Sequence, residues 1–97
     1  MWGGRRNIAE AKMNRRRLLR RLLDGHVRNI RFRDLRDLVE GFGFRLTRVS
    51  GSHHIFEHSN ITELVNLQEV GGEGKPYQIR QFLRLIERYD LRLKDES

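Results

Sequence analysis

Between Phe42 and Arg48 the spacing of the apolar residues changes from three and four to two. Upstream, Leu35, Leu38, Val39 and Phe42 recur as one stripe of a helix does, which predicts a helix over 32–41 closed by Gly41 and Gly43. Downstream, FRLTRV (44–49) alternates apolar and polar residues, the period of a half-buried strand. A chain carrying both periods in succession needs a sheet with helices to cover it. The remaining segments follow from this division. Leu18, Leu19, Leu22 and Leu23 predict an earlier helix over 8–23, with the leucines opposite a run of arginines and Asp24-Gly25 as its end. HHIFEH (53–58) and ITELVNLQ (61–68) predict two more strands, joined through the turn dipeptides Ser50-Gly51 and Ser59-Asn60. EVGGEGK (69–75) reads as a glycine-rich loop. Pro76 opens a last helix at a position that tolerates proline, with Ile79, Phe82, Leu83, Ile86 and Tyr89 as its buried stripe. Residues 1–7, whose Trp2 next to Gly-Gly has no clear partner, and the polar terminal KDES are expected to lie free of the core. The order α, α, β, β, β, α, with the helices on one face of an antiparallel meander, is an α+β domain.

At 97 residues the chain is one domain with a modest core. It has no cysteine, which excludes disulfides and thiolate metal sites and fits a cytoplasmic protein. No apolar run approaches the roughly 20 residues of a membrane-spanning helix, so no membrane partner is expected. The basic start has no apolar core after it and does not read as a secretory signal. Net charge is +7. Arg15, Arg16, Arg17, Arg20 and Arg21 form one block, and Arg28, Arg31, Arg33, Arg36, Arg45 and Arg48 continue it. The planar arginine fork suits phosphate, so nucleic acid is one reading of this charge; a solvated helix face is the other.

The motifs narrow the chemistry. GGEGKP invites comparison with a nucleotide phosphate loop, but Glu69 stands where the first glycine of that motif is required and Pro76 where Ser or Thr is. The loop still brings Lys75 to a helix N-terminus, a place that favours anions. His53 and His54 point to opposite faces of a strand, and His54 and His58 lie roughly 13 Å apart along one face. Neither pair can share a metal ion, and no cofactor motif is present. Catalysis and plain structure remain. If Phe56 is the buried residue, His54 and His58 point inward with it, and His53, Ile55 and Glu57 point outward; if Ile55 is buried, the faces reverse, but Phe56 is the larger apolar group and Glu57 prefers water, which favours His53 outward. In the third strand Ile61, Val65 and Leu67 mark one face, and Thr62, Asn66 and Gln68 the other. An outward imidazole at the mouth of a tight turn, among arginines, is simple apparatus for cleaving RNA. A base removes the 2′-hydroxyl proton and that oxygen attacks the neighbouring phosphorus, a route closed to DNA.

The run LVEGFGFRLTRVSGSHHIFEH (38–58), followed by LVNLQ (64–68), a Gly-Gly loop and KPYQIRQFLRLIERYDL (75–91), resembles the HicA toxin family. The most specific element is Gly43-Phe44, a short basic strand, then Gly51-Ser52-His53. The resemblance covers roughly residues 30–91. It implies a double-stranded-RNA-binding-domain-like α-β-β-β-α unit over 30–97, with residues 1–29 as a basic N-terminal extension carrying an additional helix. It implies a metal-independent mRNA interferase, an endoribonuclease of a type II toxin–antitoxin system with no cofactor. Its catalytic histidine falls on His53, and a HicB-like antitoxin covers the site. Gly51 and Ser52 would hold the turn, and Arg48 and Lys75 would contact phosphate. A water, Lys75 or Tyr77 would serve as the second proton-transfer group, although Tyr77 reads more readily as a core or boundary aromatic at a helix start. Relatives usually carry a small or basic residue where Glu73 stands here. Two rival readings share the sequence: a non-catalytic RNA-binding module, and an interaction protein that oligomerises through the leucines at 18–23.

Overall fold

The structure, a computed structural model, describes residues 8–94. Its elements are α1 (Ile8–Leu23), α2 (Phe32–Gly41), β1 (Arg45–Ser50), β2 (His53–Glu57), β3 (Val65–Val70), β4 (Glu73–Gly74) and α3 (Pro76–Tyr89). The strands form one antiparallel sheet in the order β1-β2-β3-β4. Helix α3 packs against β3, α2 against β4, and α1 lies on α2. The architecture is α+β, a double-stranded-RNA-binding-domain-like α-β-β-β-α unit with α1 added at its N-terminus.

One apolar cluster holds these layers together. Phe56, Val65 and Leu67 of the sheet meet Leu35, Leu38 and Val39 of α2 and Ile79 and Phe82 of α3. Leu22, Val27 and Ile30 join the same cluster, so the end of α1 and the connector after it are anchored in the common core. Arg15 also ties α1 to α2, with two parallel bonds to the Asp37 carboxylate of 3.1 and 3.0 Å. Such a fork-on-carboxylate pair fixes orientation as well as distance.

The helix ends follow from their residues. At the close of α1, Gly25 takes φ +95°, its N–H reaches Leu22, and the His26 N–H reaches Arg21. Asp90 plays the same part after α3, with bonds from its own N–H to Glu87 and from the Leu91 N–H to Ile86. Both are paired-carbonyl terminations that satisfy orphan acceptors. Helix α2 has no side-chain cap at its start. Its first N–H, on Phe32, donates instead to the Gly72 carbonyl at 2.9 Å, and the Gly74 N–H donates to Ile30 at 3.0 Å. Arg31 therefore sits opposite Glu73 in an antiparallel bridge, and the segment before α2 covers the outer side of β4.

Several expectations need correction. The third strand begins at Val65, not at residue 61. Residues 58–61 are drawn into a turn by the Ile61 N–H on the His58 carbonyl and by the Asn60 N–H on the His58 ring. The glycine-rich stretch is not a loop throughout. β3 runs on to Val70, and Gly71 and Gly72 take φ +60° and +79°, the two positive angles of a two-residue hairpin turn. Glu73-Gly74 then pair back as β4. Leu23 and Tyr89 continue their stripes in sequence but are exposed, because each stands past the reach of the core. Lys94, first residue of the expected free tail, is tied by its N–H to the Gly41 carbonyl at 2.8 Å. The rest of that tail and residues 1–7 lie outside the described residues.

Two side-chain bonds are accessible to measurement. Gln78, 8 % exposed, accepts the Gln68 backbone N–H at 2.6 Å and donates to the Gln68 side-chain oxygen at 3.0 Å. Gln78→Leu leaves that N–H without a partner; a destabilisation of about 1–3 kcal/mol is expected, read as a lower urea midpoint with an unchanged slope. Further along α3, the Tyr89 hydroxyl donates to the Glu63 carboxylate at 2.6–2.7 Å and Arg88 donates to it at 3.0 Å. The Tyr89 bond holds Glu63 below the usual carboxylate range, and Glu63 in turn pushes the Tyr89 phenol above its ordinary value. The interaction is therefore intact above the carboxylate range and weakens as pH falls through the lowered Glu63 value. On the alkaline side it persists until the raised Tyr89 value is passed. Glu63→Ala should bring the Tyr89 absorbance titration down to lower pH.

Candidate active site

The sheet has one face on the core and one open, and strand alternation decides what each presents. On β2, Phe56 is fully buried, so His54 turns inward and His53, Ile55 and Glu57 turn outward. The inward imidazoles are held by structure. His54 packs tilted against Phe32, 4.6 Å between ring centroids, and donates from Nδ1 to the Ser52 carbonyl at 3.2 Å. His58 sets its edge against Phe44 at 5.0 Å and accepts the Asn60 N–H at Nδ1. His53 alone of the three stands on the open face, as its alternation with Phe56 predicts.

The hairpin from β1 to β2 places His53. Its turn residues are Gly51 and Ser52, one position later than the dipeptide expected from the sequence. Gly51 takes φ +60° at the first central position, where a two-residue turn of this hand requires glycine. Ser52 contributes its carbonyl, which accepts both the Glu69 N–H at 3.0 Å and His54. That bond from Glu69 makes His53 and Gln68 a non-hydrogen-bonded pair across the ladder, the kind in which side chains stand closest.

Around His53 the open face collects polar side chains. His53 Nδ1 donates to Asn66 Oδ1 at 3.2 Å. The amide oxygen can only accept, so in the neutral ring Nδ1 carries the proton and Nε2 presents its lone pair. Gln68, directly opposite, has its oxygen occupied by Gln78 and by Lys75 Nζ at 3.4 Å, which leaves its amide N–H groups for a ligand. Lys75 caps the start of α3 and reaches the same cluster. Arg48 lies opposite Ile55, two pairs along from the Ser50–His53 pair and on the same face. That puts its backbone a diagonal of about 7–8 Å from His53.

Gly51, Ser52, His53, Arg48 and Lys75 are thus brought to one corner of the open face. Asn66 and Gln68 join them without having been expected there; the signal was the alternation in VNLQ, which sets two amides opposite the core. Tyr77 is not the boundary aromatic expected. It is 63 % exposed, and its hydroxyl accepts from Gln81 Nε2 at 2.8 Å. Glu73 lies on β4 between Val70 and Arg31, away from His53. Among the described residues no three His, Asp or Glu side chains gather where they could hold a metal ion, and no helix is long and apolar enough to cross a membrane.

Comparison with known proteins adds one finding. No curated protein and no solved structure matches the chain. The family model described as HicA toxin of bacterial toxin-antitoxin matches residues 32–87, from the first residue of α2 to the last turn of α3. That match takes in more than half of the chain and every element that builds the His53 corner, and the chain belongs to the HicA toxin family.

Proposed function

We propose that this chain, as the toxin of its pair, is a metal-independent endoribonuclease that cleaves mRNA in the cytoplasm, with His53 as general base. The observation that carries the reading is the 3.2 Å bond between His53 Nδ1 and Asn66 Oδ1, which occupies Nδ1 and leaves Nε2 as the nitrogen to take a proton. His53 Nε2 takes the 2′-hydroxyl proton, the 2′-oxygen attacks the adjacent phosphorus, and the bond from phosphorus to the 5′-oxygen breaks. The products are a 2′,3′-cyclic phosphate and a 5′-hydroxyl. The departing 5′-oxygen collects its proton from water or from Lys75. Lys75 and Arg48 offset the charge that builds on the phosphorane, and Gln68 donates to a phosphate oxygen. Residues 30–97 form the catalytic unit in this reading. The partner is a HicB-like antitoxin that covers the open face.

Purified protein incubated with a defined RNA in excess chelator should cut it and should leave the all-deoxy strand whole. His53→Ala should slow cutting by about 10²–10⁴-fold, the usual contribution of a positioned acid–base group. Wild-type protein that binds RNA and leaves it intact would hand the reading to a non-catalytic RNA-binding module. A separate measurement tests the role of Asn66. In Asn66→Leu the His53 ring should lose its single tautomer, seen as a shift of its nitrogen resonances toward the exchange average. Cleavage should fall while the unfolding midpoint stays near wild type, since Asn66 is exposed.

A further inference from the structure

The extension ahead of the catalytic unit is not a bare charged helix. Where α1 ends, a hollow of about 340 Å³ opens between the connector and α3. Arg21 enters it from α1, His26 and Arg28 from the connector, and Arg80 from α3. No carboxylate lines it, and among the described residues none of the three arginines forms an ion pair. The neighbouring groove between α1 and α2 behaves differently. There Arg15 pairs with Asp37, Arg33 with Asp34 and Arg36 with Glu40.

Three arginines from three elements line one small space, Arg21 lining the neighbouring groove as well, and like charges brought together repel one another. A sequence selected only for stability would place an acid among them, as it does in the adjoining groove; a local rule broken without compensation marks a functional site. The hollow is also built. Val27 and Ile30 are buried on either side of Arg28 and fix the connector in the core. The Ile30 carbonyl and the Phe32 N–H bind it to the β4 hairpin, so the hollow is rigidly joined to the sheet that carries His53. Arg80 stands five residues beyond Lys75, about 7.5 Å along the axis of α3.

We propose that this hollow binds the phosphate backbone of the RNA strand outside the cleavage site, which gives the N-terminal extension a role in substrate capture; the ligand class rests on the ribonuclease reading above. Arginine forks match phosphate oxygens two at a time. An acidic protein partner fits less well. A protein interface needs a buried apolar or aromatic centre, and the only large apolar residue lining the hollow, Val27, is already spent in the core.

The test uses the full chain and a short 2′-O-methyl RNA strand, which His53 cannot cleave, with binding followed by fluorescence anisotropy over a range of salt. Arg28→Gln with Arg80→Gln should weaken binding about tenfold. It should also flatten the slope of log affinity against log salt by about 0.7 for each phosphate no longer neutralised. Both side chains are exposed, so the fold is expected to survive; Arg28→Lys with Arg80→Lys should restore much of the salt dependence and only part of the affinity. Unchanged affinity and slope in the glutamine pair overturn the proposal. So does a poly-glutamate peptide that competes as strongly as the RNA strand, which would assign the hollow to an acidic polypeptide. The difference in affinity between wild type and the glutamine pair reports on the hollow, and loss of cleavage in His53→Ala reports on the active site, so either reading can fail without the other.

Discussion

The bond from the Gln68 backbone N–H to the Gln78 side chain decides how the sheet and the last helix meet. β4 is two residues long and ends at Gly74, opposite Glu69. The next N–H on that edge of β3 belongs to Gln68 and has no strand beside it. A strand edge left in that condition inside a packed interface is costly. Gln78 replaces the missing strand with a side chain from the first turn of α3. The same bond orients the Gln68 amide, brings the start of α3 to the sheet and so delivers Lys75 to the open face. Gln68 is the cross-strand partner of His53. A single amide thus links core packing to the position of the imidazole.

Much of this was legible in the sequence, where local chemistry is strong. The three helices have the bounds that Gly25, Gly41 and Pro76 announce. The outward direction of His53 follows from the burial of one neighbour, Phe56. What the sequence hid depends on partners far along the chain. Glu73-Gly74 is too short to show a period, and only the Gly71-Gly72 turn and the cover from Arg31 make it a strand. The apolar residues at 61 and 64 imitate the strand that follows them, yet the ladder between β2 and β3 ends at the Phe56–Val65 pair and a turn takes up residues 58–61. Tyr89 keeps helical spacing with Ile86 but lies beyond the core, where Glu63 is its partner instead. The importance of Asn66 rests on register, since its oxygen meets His53 only because the hairpin places them diagonally.

Charge is spread through the molecule in two styles. Around α2 the arginines are answered by acids at short range, and the pair from Arg15 to Asp37 holds α1 in place. Arg28 at the connector and Arg48 and Lys75 on the open face form no ion pair among the described residues, and these are the places where a polyanion would approach. Net charge alone does not separate the two, because the composition is the same until the ion pairs are known. The separation also explains how an arginine-rich helix can contribute to packing and to substrate binding at once. Leu22 and Arg15 face inward to the domain, and Arg21 lines both the hollow and the groove beside it.

The pairing between β1 and β2 slips by one residue between Leu46 and Arg48, and the Thr47 hydroxyl bonds to the Ile55 carbonyl at that point. On the far side of the sheet the segment before α2 already covers β4, so β1 is the edge left bare. A straight, apolar bare edge is a template on which other chains aggregate. The slip bends β1 away from a flat ladder, and Arg45 and Arg48 surround it with like charge that a second copy would have to meet. The irregularity that sets the diagonal from Arg48 to His53 therefore also keeps copies of the chain from zipping together edge to edge, leaving the open face accessible on each.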